Sequence, residues 1–198
     1  MIVILCGKSG AGKDRIMKDF IKRVAATPIV SYTTRPMRDG EENHREYHFI
    51  TEDAFEGLRE AGRFCEVREY NTLVGGKPDV WYYGSPIVNP RSTLLVTILD
   101  MQGVQEYINF YGKDNCFVVY VDVSDEERER RARERGSFDK TEWDRRMKDD
   151  AAKFSDEVVK NLADMTLDNE SSNYNSEVLI GRISDEIFFS RIMKFGGR

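Results

Sequence analysis

Gly7-Lys8-Ser9-Gly10-Ala11-Gly12-Lys13-Asp14 follows directly on the apolar run Ile2-Val3-Ile4-Leu5-Cys6, and Ile16, Met17, Phe20, Ile21 and Val24 repeat behind it at helical spacing. Strand, glycine-rich turn, lysine and helix in that order make a phosphate-binding loop. The glycines let backbone N–H groups converge on phosphate oxygens, the lysine reaches the terminal phosphates, and the helix N-terminus favours an anion. The pattern is met at every position but the last, where Asp14 replaces the Ser or Thr whose hydroxyl would bind magnesium. Gly7, Ser9, Gly10, Ala11, Gly12, Lys13 and Asp14 are the candidate phosphate ligands. The bland alternative is a glycine turn between a strand and a helix, and the register of all four parts disfavours it.

Outward from the loop, composition sets the bounds. A chain of 198 residues, 40% hydrophobic, is long enough for one good core and short for two full domains. Its net charge of −5 and pI near 5.3 argue against a nucleic-acid polymer as partner and favour a small anionic ligand in a local basic pocket. Cys6, Cys65 and Cys116 lie far apart without metal-ligand spacing, so they read as buried thiols of a reducing compartment. The apolar N-terminus is too short for a signal peptide or a membrane span, and a cytoplasmic protein is expected.

Apolar runs then alternate with helical patterns, which predicts an α/β fold with a parallel sheet flanked by helices. Strands are expected at Ile2–Cys6, Ile29–Ser31, Leu94–Leu99, Cys116–Asp122 and Met165–Leu167. Between the second and third lies a different texture. Tyr47–Ile50, Phe64–Tyr70 and Val80–Tyr83 read as strands, Val74–Pro78 as a turn, and Glu52–Ala61 as a helix capped by Thr51. A small mixed, largely antiparallel subdomain is therefore expected to interrupt the parallel sheet. Ser124-Asp125-Glu126-Glu127 is a capping box opening an arginine-rich helix, and Thr141–Asp150 begins another. Glu177–Phe195 is amphipathic, with Leu179, Ile180, Ile183, Ile187, Phe188 and Ile192 expected to cover the core.

Five blocks in order resemble the guanylate kinase family, over roughly the whole chain. They are the loop, Val30-Ser31-Tyr32-Thr33-Thr34-Arg35-Pro36-Met37-Arg38-Asp39-Gly40-Glu41, Glu46-Tyr47-His48-Phe49, Trp81-Tyr82-Tyr83-Gly84-Ser85 and Asp100-Met101-Gln102-Gly103. The second is the most specific, since many P-loop proteins share the first. The resemblance implies a single domain with a core at about 1–34, 91–123 and 151–198, a monophosphate-binding subdomain at about 35–90 and a helical lid at about 124–150. It implies transfer of a phosphoryl group from ATP, with Mg2+, to GMP or dGMP. Arg35, Arg38, Tyr47 and Tyr83 match the family's phosphate-holding set, and two arginines three residues apart can fork onto a dianion. Glu66 matches the guanine-binding carboxylate, with Ser31 and Ser85 as the hydroxyls beside it, and Asp100 completes the acceptor set. A carboxylate suits the N–H donors of guanine's Watson–Crick edge and would be left unpaired against adenine. Arg131, Arg135 and Arg146 match the arginines that reach the phosphates as a lid closes, and with Lys13 they are the catalytic candidates. The other charges of the arginine-rich helix read as a solvated face.

The chain departs from the pattern at Asp14, and again at Ile98, where the family has an acidic residue two before Asp100. Taken together the two suggest that magnesium-binding acidity has moved from the strand end to the loop, with Asp14 and Asp100 as candidate ligands. Lys8 replaces a proline, Asn71–Asp79 is longer than the corresponding turn, and Asp168-Asn169 reverses the family's Asn-Asp near the adenine. His44 and His48 flank Tyr47 without the further soft ligands of a metal centre. Two other functions remain open: a kinase of the same fold for another nucleoside monophosphate, and a catalytically weak nucleotide- or phosphopeptide-binding module. Modules of the second kind typically lose the loop glycines and lysine, which this chain keeps.

Overall fold

Ile2–Cys6 forms β1, every residue buried, as a strand covered on both faces must be. In this computed structural model residues 1–74, 77–134, 138–170 and 174–195 are described. Helix α1 (Lys13–Val24) leaves the loop, and the two-residue β2 (Thr27–Pro28) follows. Next come β3 (Tyr32–Thr33), β4 (His48–Phe49), α2 (Glu52–Glu60), β5 (Phe64–Val74) and β6 (Lys77–Pro86). The chain continues through β7 (Leu95–Ile98), α3 (Met101–Tyr111), a 3-10 turn at Lys113–Asn115, β8 (Cys116–Asp122), α4 (Asp125–Glu134) and α5 (Lys140–Lys153). It ends with α6 (Asp156–Leu162), β9 (Met165–Asp168) and α7 (Ser176–Phe195).

These elements divide into two units, residues 1–27 with 93–198, and residues 28–92. In the first, a five-stranded sheet runs in the order β2-β7-β1-β8-β9, and the β7-β1, β1-β8 and β8-β9 pairs are all parallel. Alternate residues of β1 and β8 point to opposite faces. Val3, Leu5, Val119 and Val121 join Ile16 and Phe20 of α1 and Leu179, Ile180, Ile183 and Ile187 of α7 in one cluster. Phe188, expected on that stripe, is 62% exposed, because it sits about 100° round the helix from Ile187. Ile192 falls outside the described side chains. The strand expected at 29–31 is absent, and two short strands flank it. Pro28 has no N–H to carry β2 further, and Tyr32–Thr33 pairs with β6 instead.

The second unit is a four-stranded sheet, β4-β3-β6-β5, antiparallel except for the β3-β4 pair. One face is aromatic: Phe55 of α2 stacks on Phe64 at 4.8 Å and lies 5.7 Å from Tyr82. Thr51 caps α2 as expected, its Oγ1 accepting from the Ala54 N–H at 3.3 Å. The expected turn at 74–78 is mostly strand, for Leu73 pairs with Pro78 and Val74 with Lys77. A register shift between Phe64 and Glu66 marks a bulge at Cys65.

Candidate functional site

The loop owes its shape to Gly12, whose φ of +87° is left-handed and whose Cβ, if it had one, would meet Asn169 Nδ2 at 2.7 Å. Lys13 Nζ folds back over the loop, donating to the carbonyls of Gly7 at 2.7 Å and Lys8 at 3.1 Å. Burial lowers the pKa of this ammonium, while Asp14 and Asp150 pull the other way. Asp14 lies exposed in the first turn of α1, where the helix dipole favours a carboxylate. Asp100 caps α3 through the Gly103 N–H at 3.1 Å, with its other oxygen 3.5 Å from Lys153 Nζ.

Arg131 reaches the loop from α4. Its guanidinium donates to the Ala11 carbonyl at 3.3 Å and to the Asn169 carbonyl at 2.6 Å, while Glu127 accepts from its Nε at 2.8 Å. Asn169 donates to the same Ala11 oxygen at 2.7 Å, and its own Oδ1, buried, has no partner among the described residues. A cavity of about 530 Å³ lies here, with Gly12, Arg15, Arg131, Asn169 and Tyr174 in its wall. The Arg15 guanidinium sits 3.6 Å from the centre of the Tyr174 ring, and the Tyr174 hydroxyl donates to Asp19.

In the second unit the bulge at Cys65 decides which way the strand faces. Without the extra residue Glu66 would lie opposite Gly84; with it, Glu66 lies opposite Ser85, while Phe64 turns to the aromatic face. Glu66, 6% exposed, accepts from Ser85 Oγ at 2.7 Å, and Ser31 Oγ is 3.3 Å from Ser85 Oγ. Arg68 Nε donates to the other Glu66 oxygen. Arg35, 4% exposed, gives one nitrogen to both Glu41 oxygens, at 2.7 and 3.0 Å, and its guanidinium lies 5.6 Å from the Tyr47 ring centre. The ion pair and hydrogen bond from Arg35 hold the Glu41 carboxyl below its ordinary pKa of 4.5. Tyr47 and Tyr83 meet edge to face at 5.8 Å, and burial pushes the Tyr83 phenol up.

Each unit thus gathers one set of expected residues: the loop with Lys13, Asp14 and Arg131 in one, Ser31, Arg35, Tyr47, Glu66, Tyr83 and Ser85 in the other. Arg38 is exposed, and Glu41 takes its backbone N–H at 2.7 Å. Arg146 lies exposed on α5, and Arg135 lies outside the described residues. His44 and His48 bring their Nδ1 atoms to 2.6 Å, yet among the described residues no three His, Cys, Asp or Glu side chains are grouped to hold a metal. Cys65 is only half-buried, unlike Cys6 and Cys116. Arg128 is the clearest correction. Expected on a solvated face, it is 1% exposed and bound to Asp150, which itself holds Ser9. The one available signal lies on its partner: Trp143, Met147 and Asp150 share a stripe of α5, so an acid stands among apolar neighbours.

A strand that feeds a glycine loop onto a helix, with a lysine over the loop, defines a P-loop phosphate-binding protein. The guanylate kinase family model matches residues 1–179, and the chain belongs to the guanylate kinase family. It is 34% identical over 143 residues to the guanylate kinase of Oleidesulfovibrio alaskensis, an alignment spanning 69% of this chain and 65% of that protein, just under two thirds. Against the guanylate kinase of Nitratidesulfovibrio vulgaris it is 29% identical over 191 residues, covering 90% and 88%. In fold it is similar to the crystal structure of guanylate kinase from Anaplasma phagocytophilum, with a TM-score of 0.61 over 98% of this chain and 87% of that one. Sequence identity there is 20%, so this likeness speaks to the fold.

Proposed function

We propose that the chain transfers the terminal phosphoryl group of ATP to GMP or dGMP in the cytosol. The observation that carries the reading is the Ser31–Ser85–Glu66 chain on the sheet face that holds Tyr83, with Arg35 beside that tyrosine. A buried carboxylate flanked by hydroxyls offers acceptors to guanine N1–H and the 2-amino group and a donor to O6. Adenine carries a lone pair at N1 instead of that N–H, and an acceptor set against the Glu66 carboxylate costs about 1 to 3 kcal/mol. Arg35, fixed by Glu41, and the exposed Arg38 hold the acceptor phosphate with the Tyr47 and Tyr83 hydroxyls. Guanidinium groups fixed in advance need no reorganisation when the dianion arrives.

On the donor side the backbone N–H groups from Gly10 to Asp14 and the Lys13 ammonium take the phosphates. The adenine fills the cavity lined by Arg15, Asn169 and Tyr174, and Arg131 offsets charge on the transferring group. An acceptor phosphate oxygen attacks the γ-phosphorus as the bond to the bridging oxygen breaks, and ADP leaves. Arg135 and Arg146 add charge as the arginine-rich helices close over the reaction. The all-oxygen donor set suits Mg2+, which needs only one or two carboxylates beside the phosphates, and Asp14, with Asp100, would hold the ion that screens the phosphate charge. The deciding experiment is ADP release with ATP and Mg2+ against GMP, dGMP, AMP, CMP and UMP, with Lys13→Ala as blank. Turnover confined to GMP and dGMP is expected; turnover led by another monophosphate, or by none, overturns the reading.

A further inference from the structure

We infer that Arg128 and Asp150 are positioning residues for the donor nucleotide, an inference that rests on the kinase reading above. Both side chains are buried, and together they close a ring on the N–H and C=O of one residue of the phosphate loop. Asp150 Oδ2 accepts from the Ser9 N–H at 2.8 Å and from Arg128 at 2.9 Å, and the same Arg128 nitrogen donates to the Ser9 carbonyl at 2.9 Å. The second Asp150 oxygen lies 3.4 Å from Ser9 Oγ. Arg128 is further tied to Asp125 and to Met147 Sδ, at 3.3 Å for the latter. Its helix presses on the loop so closely that a Cβ on Gly10 would stand 3.2 Å from Arg128 Cβ.

Packing alone does not call for these charges. Burying an ion pair costs desolvation, and apolar side chains of similar volume fill such a place as well or better. What the pair does, and an apolar pair cannot, is grip both the N–H and the C=O of Ser9. The Ser9 amide is thereby withdrawn from any ligand, and an incoming triphosphate is confined to the amides that follow it. The pair also pins the start of α4 and the far half of α5 to the loop.

The test compares the parent with Arg128→Leu, Asp150→Ala and the double substitution, reading thermal stability, ATP affinity by equilibrium binding, and KM for ATP and GMP. Each single change strands a buried partner and lowers Tm. The double change removes both charges and is expected to return Tm close to the parent. ATP Kd and KM should nonetheless stay raised about five- to tenfold, as for a lost pair of hydrogen bonds, with KM for GMP within about twofold. A double variant that recovers both stability and ATP affinity makes the pair merely structural and overturns the inference, as does an equal rise in both KM values. The binding arm separates the two proposals. A parent that binds ATP but does not phosphorylate GMP refutes the kinase reading and leaves the clamp to be judged on ATP affinity; a parent that binds no ATP refutes both.

Discussion

Glu66 and Glu41 show how one residue type takes two duties within a single sheet unit. On the proposed reading Glu66 keeps acceptor capacity for a base, and replacing it with Gln swaps an acceptor for a donor against the guanine N–H groups. Glu66→Gln should lower kcat/KM for GMP about 10- to 100-fold, a charged hydrogen bond's worth, without changing ATP affinity, as steady-state kinetics will show. Glu41 instead serves Arg35. Its folded pKa is depressed, so its contribution to stability is complete at neutral pH and is lost as pH falls from 4.5 through the folded value. Glu41→Gln should therefore lower Tm at pH 7 and converge with the parent at strongly acid pH, where the parent carboxyl is protonated too. At the loop, Asp14 and Ile98 form a third case. Ile98 pairs with Leu5 at the end of β7, half-buried beside the core. If the magnesium ligand has moved along the sequence, Asp14→Ser weakens Mg2+ dependence of turnover and adding Ile98→Asp restores it. Independent effects in that double-mutant cycle would show two unrelated substitutions.

Among the elements, those governed by local pattern were legible in the sequence. β1 and β8 match their apolar runs residue for residue, and Thr51 caps α2 from the position its chemistry implies. Thr51→Ala should cost about 1 kcal/mol, read from urea unfolding. The capping box of α4 was legible only in half. Ser124 Oγ accepts from the Glu127 N–H at 3.3 Å, but the Ser124 N–H goes to Glu170 at 2.6 Å because the Glu127 carboxylate is bound to Arg130 and Arg131. Features set by long-range pairing left no local trace. The bulge at Cys65 depends on how two strands of different phase are joined, and the extension of β5 and β6 through Val74 and Lys77 depends on their mutual ladder. Arg128 looked like its neighbours because the partner that buries it is 22 residues away. The blocks that carry the family resemblance named most of the gathered site residues, whereas the Glu41–Arg35 and Asn169–Ala11 contacts and the Arg15–Tyr174 pair became visible only in the structure.

At the scale of the whole molecule the proposed chemistry is divided along the chain, with the residues proposed for the donor in 1–27 and 93–198 and those proposed for the acceptor, except Asp100, in 28–92. Among the described residues no helix is long and apolar enough to cross a membrane. Damage confined to the second unit should therefore read out on one substrate. Phe55→Ala removes the aromatic that joins α2 to its sheet, at about 3 to 5 kcal/mol, and should weaken GMP binding while ATP affinity, measured separately, stays put. The three thiols divide in the same way. Cys6 is buried, and desolvation pushes its pKa up to about 12, so it holds almost no thiolate at neutral pH; Cys116 is buried as well. Cys65 alone is partly open, at the bulge that aims Glu66, with its Sγ 3.4 Å from the Ser85 carbonyl. An alkylating reagent should accordingly modify one site first, and if the second unit holds GMP as proposed, slowing of that modification by GMP supplies a label-based reporter of acceptor occupancy without any engineered cysteine.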